Sequence, residues 1–134
     1  MPVDPAVKTL ATGRNFGALA YHRADGSIAN HVMWVDADDE HLLINTEVHR
    51  GKFKAMTKNP DVTVTIWDSE NPYHYAEVRG AVVGTDHSQA ARDHIDALSQ
   101  RYNGGPYGNP IQSRRVIVKI QRAVLHGQDH DGVR

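Results

Sequence analysis

The sequence predicts a mainly β fold, an antiparallel β-barrel of about six strands with a few α-helices, in a single domain over residues 1–134. The clearest strand is "DVTVTIWD" at 61–68, where Val62, Val64 and Ile66 alternate with residues of different character. Further strand-like runs follow one another through short turn signals, and few segments show helical spacing. Closure into a barrel removes exposed sheet edges, which favours this architecture for so many short strands.

The other elements are predicted from local signals. Strands are predicted over 15–22, 28–35, 41–46, 73–85 and 114–127. Helices are predicted over 5–12, 51–58 and 86–102. The first two of these strands form a hairpin around Asp25–Gly26, and Gly80 and Gly84 mark bulges or bends in the long strand. Asp86 and Gln89 have the spacing of a capping box that opens the third helix.

Charge, cysteine content and hydropathy argue against several classes of function. A net charge of -1 and a pI near 6.7 imply no broad basic surface, so no nucleic-acid partner is expected. Cysteine is absent from the sequence, which excludes disulfides and thiolate metal sites. No apolar stretch has the length of a membrane-spanning helix, and the N-terminal residues lack the pattern of a signal peptide. We therefore expect a cytoplasmic protein with no membrane contact.

The sequence lacks the common motifs of metal and nucleophilic catalysis. None of the nine histidines stands in HExxH, and His31, His41 and His49 fall on separate predicted elements, so no metal site is expected. His94 lies on the apolar face of the third helix, where a packed histidine is the ordinary outcome. The GxSxG elbow and the GxGxxG loop are also missing, which argues against a hydrolase nucleophile and a Rossmann site.

One basic segment stands out in this near-neutral chain. "HRGKFKAMTK" at 49–58 contains Arg50, Lys52, Lys54 and Lys58 at the junction between a strand and a helix. A helix N-terminus presents unpaired backbone N–H groups and the positive end of the helix dipole, so it favours anions. A guanidinium and an ammonium beside it make a phosphate cradle, although a solvated basic helix has the same spacing.

The order of these motifs resembles a known family. A hairpin, a strand, "RGKFKAMTKNPDVTVTIW", a long strand, a helix and "RVIVKI" resemble the pyridoxamine 5'-phosphate oxidase-like split β-barrel family over nearly the whole chain. Within that family, the segments "NHVMWVD", "LLINTEVHRGKF" and "NPYHYAEVRG" are similar to the actinobacterial branch that uses the deazaflavin coenzyme F420.

The resemblance implies a homodimer with two cofactor sites at the subunit interface. It assigns the cofactor phosphate to Arg50 and Lys52, and the wall beside the tricyclic ring to residues 30–34. Ile66 and Trp67 border the same pocket in this scheme. The implied cofactor-binding residues are Asn30, His31, Val32, Met33, Trp34, Arg50, Gly51, Lys52, Phe53, Ile66 and Trp67.

The function implied by the resemblance is hydride transfer from reduced F420 to a small unsaturated or conjugated acceptor. The hydride comes from the cofactor, so the protein mainly orients the reactants and excludes water. The alternatives are an FMN-dependent enzyme of the same fold and a non-catalytic protein that binds a flavin-like or haem ligand. A proton could come from solvent, Tyr73, His31 or His74.

The sequence allows two roles for each of several residues. Lys54 and Lys58 could contact the oligoglutamate tail of F420 or belong to a solvated face. Trp34 and Trp67 could contact the ring or pack in the core or the dimer interface. The glycine- and proline-rich loop at 103–110 follows Tyr102 and contains Tyr107, and the resemblance places this region near the partner's site.

Overall fold

The structure is a computed structural model that describes residues 2–129 and 132–133, with side chains described up to residue 123. The helices are α1 (Pro5–Thr12), α2 (Gly51–Lys58) and α3 (Gln89–Asn103). The strands are β1 (Phe16–His22), β2 (Ile28–Trp34), β3 (Asp36–Ala37), β4 (Leu42–Glu47), β5 (Asp61–Trp67), β6 (Tyr75–Asp86), β7 (Arg115–Asp129) and β8 (Gly132–Val133). The mainly β class is therefore confirmed, with two two-residue strands, β3 and β8, beside the predicted strands.

The strands form one antiparallel sheet in the order β2-β1-β5-β6-β7-β4-β3, and β8 pairs with β7. Register places Leu19 opposite Val64 and Val64 opposite Val78, so buried residues line up across three neighbouring strands. β7 shifts register against β6 between Arg79 and Gly80 and again between Val82 and Gly84. These shifts confirm the predicted bulges, and they bend the longest strand pair in the sheet.

The core lies between one face of the sheet and the helices α1 and α2. On β5, Val62, Val64 and Ile66 are buried while the alternate residues are half-buried, as the period-two pattern predicts. α1 adds Leu10 and α2 adds Met56, both nearly fully buried in the same cluster. Among the residues whose side chains are described, 25 apolar residues are buried, and their burial is the main stabilising term of the fold.

α3 packs on the opposite face of the sheet. Ala91 contacts the cluster of Leu43 on β4 and Ile117 on β7, whose neighbours along each strand face the core. β4 is therefore covered on both faces, and the helix holds the outward-facing residues of β4 and β7 against its own side chains. This layer forms one wall of the site described below.

The cap of α3 corrects one prediction. Ser88, not Asp86, is the N-cap, because its side chain accepts a hydrogen bond from the Ala90 N–H. Asp86 instead accepts from the Ser88 backbone N–H at 2.8 Å, and Gln89 donates to Asp93 within the helix. The Asp–x–x–Gln spacing is thus that of a turn followed by a cap rather than of a capping box.

The start of β6 and the end of β7 differ from the predictions. The long strand begins at Tyr75 rather than at 73, because His74 N–H bonds to Asn71 O in a turn. The last predicted strand ends at 127, whereas β7 continues to Asp129 and β8 follows at Gly132–Val133. Residues 130, 131 and 134 lie outside the described residues. Among the described residues, no helix combines the length and the apolar character needed to cross a membrane.

Candidate functional site

A cleft of about 410 Å³ opens between β2, the end of β4, the start of α2 and the face of α3. We call it the basic cleft. Its apolar wall consists of Phe16, Val32, Met33, Trp34, Ile95 and Leu98. Its polar end consists of Asn45, Thr46, Arg50, Lys52 and Arg115, with Tyr107 and Asn109 of the following loop at the rim. An apolar wall with a cluster of polar groups at one end is the usual construction of a cofactor pocket.

Lys52 is the most unusual residue of the cleft. Its side chain lies in the first turn of α2 and is only 9% exposed. No carboxylate in the described part of the chain forms an ion pair with it. Burial, with a smaller effect of the nearby Arg50, lowers the pKa of Lys52 from 10.5 to about 8. An ammonium held in this way is poised to be stabilised by an anion that enters the cleft.

The start of α2 adds further donors. Arg50 is the N-cap residue, and its side chain makes no capping hydrogen bond. The first N–H groups of a helix have no acceptor within the helix, and the helix dipole is positive at this end. Arg50 is exposed, so its guanidinium is free to turn toward a ligand. The helix start therefore presents two side-chain cations and backbone donors at one end of the cleft.

Thr46 supplies an unsatisfied polar atom in the same wall. Thr46 is 2% exposed, and among the described residues nothing forms a hydrogen bond with its Oγ1. Buried hydroxyl groups almost always have a partner, so an orphaned one beside two cations needs an explanation. A bound phosphate oxygen would accept this hydrogen bond, and the donor set therefore fits a phosphate group.

Arg115, at the start of β7, is the third cation of the cleft. Its Nε donates to Asn45 Oδ1 at 2.7 Å, and its Nη1 lies 3.6 Å from Glu47 Oε2. The guanidinium also lies over the ring of Tyr107, 5.3 Å from the centroid. These contacts fix the orientation of a side chain that is 6% exposed.

Glu47 is the acid that accompanies Arg115. Burial acts to raise the pKa of Glu47, but the N–H groups of Ser113 and Gln112 and the charge of Arg115 outweigh it and lower that pKa. The ionised Glu47 compensates one cation only. Arg50, Lys52 and Arg115 line the cleft, so its polar end carries a net positive charge.

The structure brings together five of the residues that the resemblance implied. Val32, Met33, Trp34, Arg50 and Lys52 all line the basic cleft. Lys54 and Lys58 are exposed and do not line it, so the four cations of the basic segment separate into two pairs. The first pair lies at the site and the second lies on the solvated face of α2.

The other implied residues do not line the basic cleft. Asn30 is exposed on β2, and a Cβ added at Gly51 would meet no atom within 4 Å. His31 packs edge-on against Tyr21, and burial together with Lys52, Arg23 and Arg50 lowers the pKa of His31.

Phe53, Ile66 and Trp67 also lie outside the wall of the cleft. Phe53 packs against the core and against the His87 ring. Ile66 is fully buried in the core, and Trp67 points to the opposite face of β5. The structure therefore does not bring Ile66 and Trp67 to the basic cleft, and their contact with a cofactor stays a prediction.

Two of the candidate proton donors lie together in the turn before β6. Tyr73 is 71% exposed. His74 Nδ1 lies 3.3 Å from Asp68 Oδ2. Neither residue lines the basic cleft, and neither does His31.

Sequence reasoning missed Asn45, Thr46 and Arg115 as site residues. Asn45 and Thr46 read as the end of a strand, and Arg115 as the start of another. The signal that could have found them is the paired register of those strands, which sets Asn45 opposite Ile117 and Glu47 opposite Arg115. Polar residues at the paired ends of two strands share one edge of the sheet, but the pairing is not visible in the sequence.

A second cleft, of about 330 Å³, lies near the hairpin and the middle of β5 and β6. Its cation is Arg79, whose Nε donates to Glu77 Oε1 at 2.9 Å. The charge of Arg79 is therefore compensated, and this cleft lacks the net positive charge of the basic cleft. Within residues 2–123, no three His, Asp or Glu side chains are grouped closely enough to hold a metal ion.

Comparisons with known proteins agree with this geometry. The family model described as pyridoxamine 5'-phosphate oxidase matches residues 3–126. A solved structure named "F420 Reductase" is 30% identical, with a TM-score of 0.77, and the alignment covers 92% of this chain and 98% of that one.

More distant structures share the fold. A conserved hypothetical protein from Mycobacterium tuberculosis is 20% identical, with a TM-score of 0.72, over 96% of this chain and 87% of that one. General Stress Protein 26 from Bacillus anthracis str. Sterne is also 20% identical, with a TM-score of 0.69, over 92% of each chain. Comparison with curated protein sequences gives no match.

Proposed function

Because the chain belongs to the pyridoxamine 5'-phosphate oxidase family, we propose that it is an oxidoreductase that uses reduced F420 to deliver hydride to a small unsaturated or conjugated acceptor. The observation that carries the proposal is the polar end of the basic cleft. A buried ammonium without an acid partner, an uncapped helix start and Thr46, whose hydroxyl has no partner among the described residues, all line this end of the cleft. The solved structure named "F420 Reductase" supports the choice of a deazaflavin over other phosphate-bearing cofactors.

The residues divide into two roles. Arg50, Lys52 and Thr46 hold the cofactor phosphate by charge-assisted hydrogen bonds. Val32, Met33 and Trp34 provide the apolar wall for the ring system and keep water from it. F420 supplies the hydride when bound, so no side chain has to act as a nucleophile.

The proposed active form is a homodimer with cofactor sites shared between subunits. β2 lies at one end of the strand order, and its Ile28 and Val32 are 66% and 67% exposed. Val83 on β6 is also 53% exposed. Ile28 and Val32 lie four positions apart on the same face of β2, and neighbouring exposed apolar side chains mark a surface that another chain can cover. A second subunit on β2 would close the basic cleft beside Val32. Sedimentation that finds only monomer at micromolar concentration would rule out shared sites.

FMN is the alternative cofactor, because its phosphate suits the same donors. A non-catalytic protein that binds a flavin-like or haem ligand would use the cleft without turnover. Parallel titrations with F420, FMN and haem separate these ligands. Reduced F420 mixed with an electron acceptor then separates an enzyme from a binding protein, because only an enzyme oxidises the cofactor repeatedly.

Substitutions connect the titration to the site. Arg50→Ala and Lys52→Met should each weaken F420 binding about ten- to a hundredfold, the value of one lost charged hydrogen bond. Lys58→Met is the matched control, since Lys58 is exposed on the same helix. The proposal fails if all four proteins bind equally, or if FMN binds far more tightly than F420.

A further inference from the structure

A chain of hydrogen bonds runs from the basic cleft into the layer between α3 and the sheet. Arg115 Nε donates to Asn45 Oδ1 at 2.7 Å. Asn45 Nδ2 lies 2.8 Å from Ala91 O and 3.1 Å from His94 Nδ1. His94 Nε2 lies 2.9 Å from Asp36 Oδ2, and Arg101 Nη2 donates to Asp36 Oδ1 at 2.7 Å.

The donors and acceptors at the two ends of this chain of hydrogen bonds determine which atom carries each proton along it. Arginine can only donate, so the atom of Asn45 that faces Arg115 must be the carbonyl oxygen. The amide nitrogen then faces Ala91 O, which can only accept, and it donates there and to His94. His94 Nδ1 must therefore be the unprotonated nitrogen, and Nε2–H donates to Asp36.

The surroundings of His94 support this arrangement. Its side chain is 12% exposed, and the Asp36 side chain is 16% exposed. Burial acts to raise the pKa of Asp36, but the hydrogen bonds from His94 and Arg101 outweigh it, so the pKa is lowered and Asp36 stays ionised. The charged groups around the imidazole are thus Asp36 on β3, Arg101 through Asp36, and Arg115 through Asn45.

A second proton on His94 would break the chain. The new Nδ1–H would point at Nδ2 of Asn45, which is also a hydrogen-bond donor, so the two groups would repel each other. Rotating the Asn45 amide by half a turn would satisfy His94, but it would set Nδ2–H against Arg115 Nε–H and the Asn45 carbonyl oxygen against Ala91 O. This rotation removes the hydrogen bond that orients Arg115. The added charge itself forms against the Asp36 carboxylate, which compensates it.

We propose that Asp36 and His94 are positioning residues that orient Arg115 in the basic cleft through Asn45, and that protonation of His94 releases this orientation and weakens anion binding. The second clause rests on the proposed function, because it takes the anion to be the phosphate of F420.

The first test needs no ligand. Nitrogen NMR of the ¹⁵N-labelled protein at pH 8 should show His94 with a proton on Nε2 and a bare Nδ1. The Arg115 Nε–H signal should be protected from exchange at pH 8, and it should be lost as His94 gains its proton. In His94→Gln the glutamine amide oxygen can accept from Asn45 in place of Nδ1 and cannot titrate, so the signal should persist to pH 5. A proton on Nδ1 at pH 8, or an Arg115 signal indifferent to His94 protonation, would overturn the proposal.

The second test measures the effect on binding. Below pH 7, where Lys52 stays charged, F420 affinity in the wild type should fall about fivefold as His94 gains its proton, the effect of one lost hydrogen bond. His94→Gln should remove that fall, and His87→Gln, at an exposed histidine before α3, should keep it. Equal pH profiles in all three proteins, or tighter binding at low pH, would refute the effect on affinity. If F420 fails to bind at any pH, the proposed function fails while the NMR experiment still decides the positioning role.

Discussion

The indole of Trp34 lies parallel to the phenol ring of Tyr102, with 3° between the ring planes and 5.1 Å between the centroids. The stack joins the end of β2 to the last turn of α3. Tyr107 meets the same indole edge-on, with centroids 6.4 Å apart. One face of Trp34 is therefore covered within the chain, and the rest of the ring is left for the basic cleft. The tryptophan is at once a packing residue and a wall of the site.

Tyr102→Phe should keep the stack and lose stability. The Tyr102 hydroxyl donates to Asn15 O, and it accepts from the buried Val35 N–H at 3.3 Å. Removing it leaves these backbone groups without that partner, so unfolding free energy should fall by about 1–3 kcal/mol. Urea denaturation measures the change.

Tyr102→Leu is the companion variant, since it removes the ring as well. It should lose about 1 kcal/mol more than Tyr102→Phe, and it should shift Trp34 emission in a Trp67→Phe background. Identical stability of Tyr102→Phe and the wild type would show that the hydroxyl bonds contribute nothing.

Lys52→Met should stabilise the free protein while it weakens anion binding. The substitution keeps the shape of the stem and removes a buried ammonium that has no acid partner. We expect a gain of about 1–3 kcal/mol in unfolding free energy without ligand. Lys58→Met, on the exposed face of the same helix, should change stability by less than about 0.5 kcal/mol. A loss of stability in Lys52→Met would mean that the ammonium is already satisfied.

The lowered pKa of Lys52 also predicts a pH dependence. Between pH 8 and 10.5 the unfolded chain still holds the proton that the folded chain has released, so stability rises with pH in this window. Below pH 8 Lys52 is protonated in both the folded and the unfolded chain, and the full cost of burying its charge lowers the stability of the fold. The stability advantage of Lys52→Met over the wild type should therefore shrink as pH rises from 8 to 10. Parallel stability curves for the two proteins across that range would contradict the shift.

Two glycines of β6 form a matched pair for a packing test. A Cβ at Gly80 would lie 2.1 Å from the backbone oxygen of Gln121, whereas at Gly84 the nearest atom is 3.9 Å away, in the Lys119 side chain. Gly80→Ala should therefore lower unfolding free energy by about 1–3 kcal/mol or more. Gly84→Ala should stay within about 1 kcal/mol of the wild type. Thermal denaturation compares the two, and equal effects would show that the bulge at Gly80 relaxes freely.

Local signals predicted the fold well. The bounds of α1 and α2 match the prediction, because Asp4 caps the first helix beside Pro5 and the second ends before Asn59. The family resemblance is confirmed by the match over residues 3–126. The prediction at Asp86 was wrong because Ser88 competes for the same cap two residues later.

Without the resemblance, the sequence groups residues of the basic cleft only where they are close along the chain. Arg50 and Lys52 are neighbours at a helix start, so their pairing is visible in the sequence. Arg115 reaches Asn45 across 70 positions, and this contact exists only because β4 pairs with β7. Ile66 does not line the basic cleft, because strand alternation directs its side chain into the core, and its contact with a cofactor stays a prediction.

The position of β7 in the sheet has a consequence for how the cleft comes into being. β7 lies between β6 and β4, so the sheet stays in two pieces until the segment that begins at Arg115 is made. The pairing of Leu42 with Ile120 closes one of the longest loops in the chain, and such contacts form slowly because loop closure is entropically unfavourable. A nascent chain can form the β1–β2 hairpin early, but the cleft lacks Arg115 until translation has passed that residue. The full set of three cations is thereby available only late in folding, and a ligand that needs all three would favour that stage over earlier, partly assembled sheets.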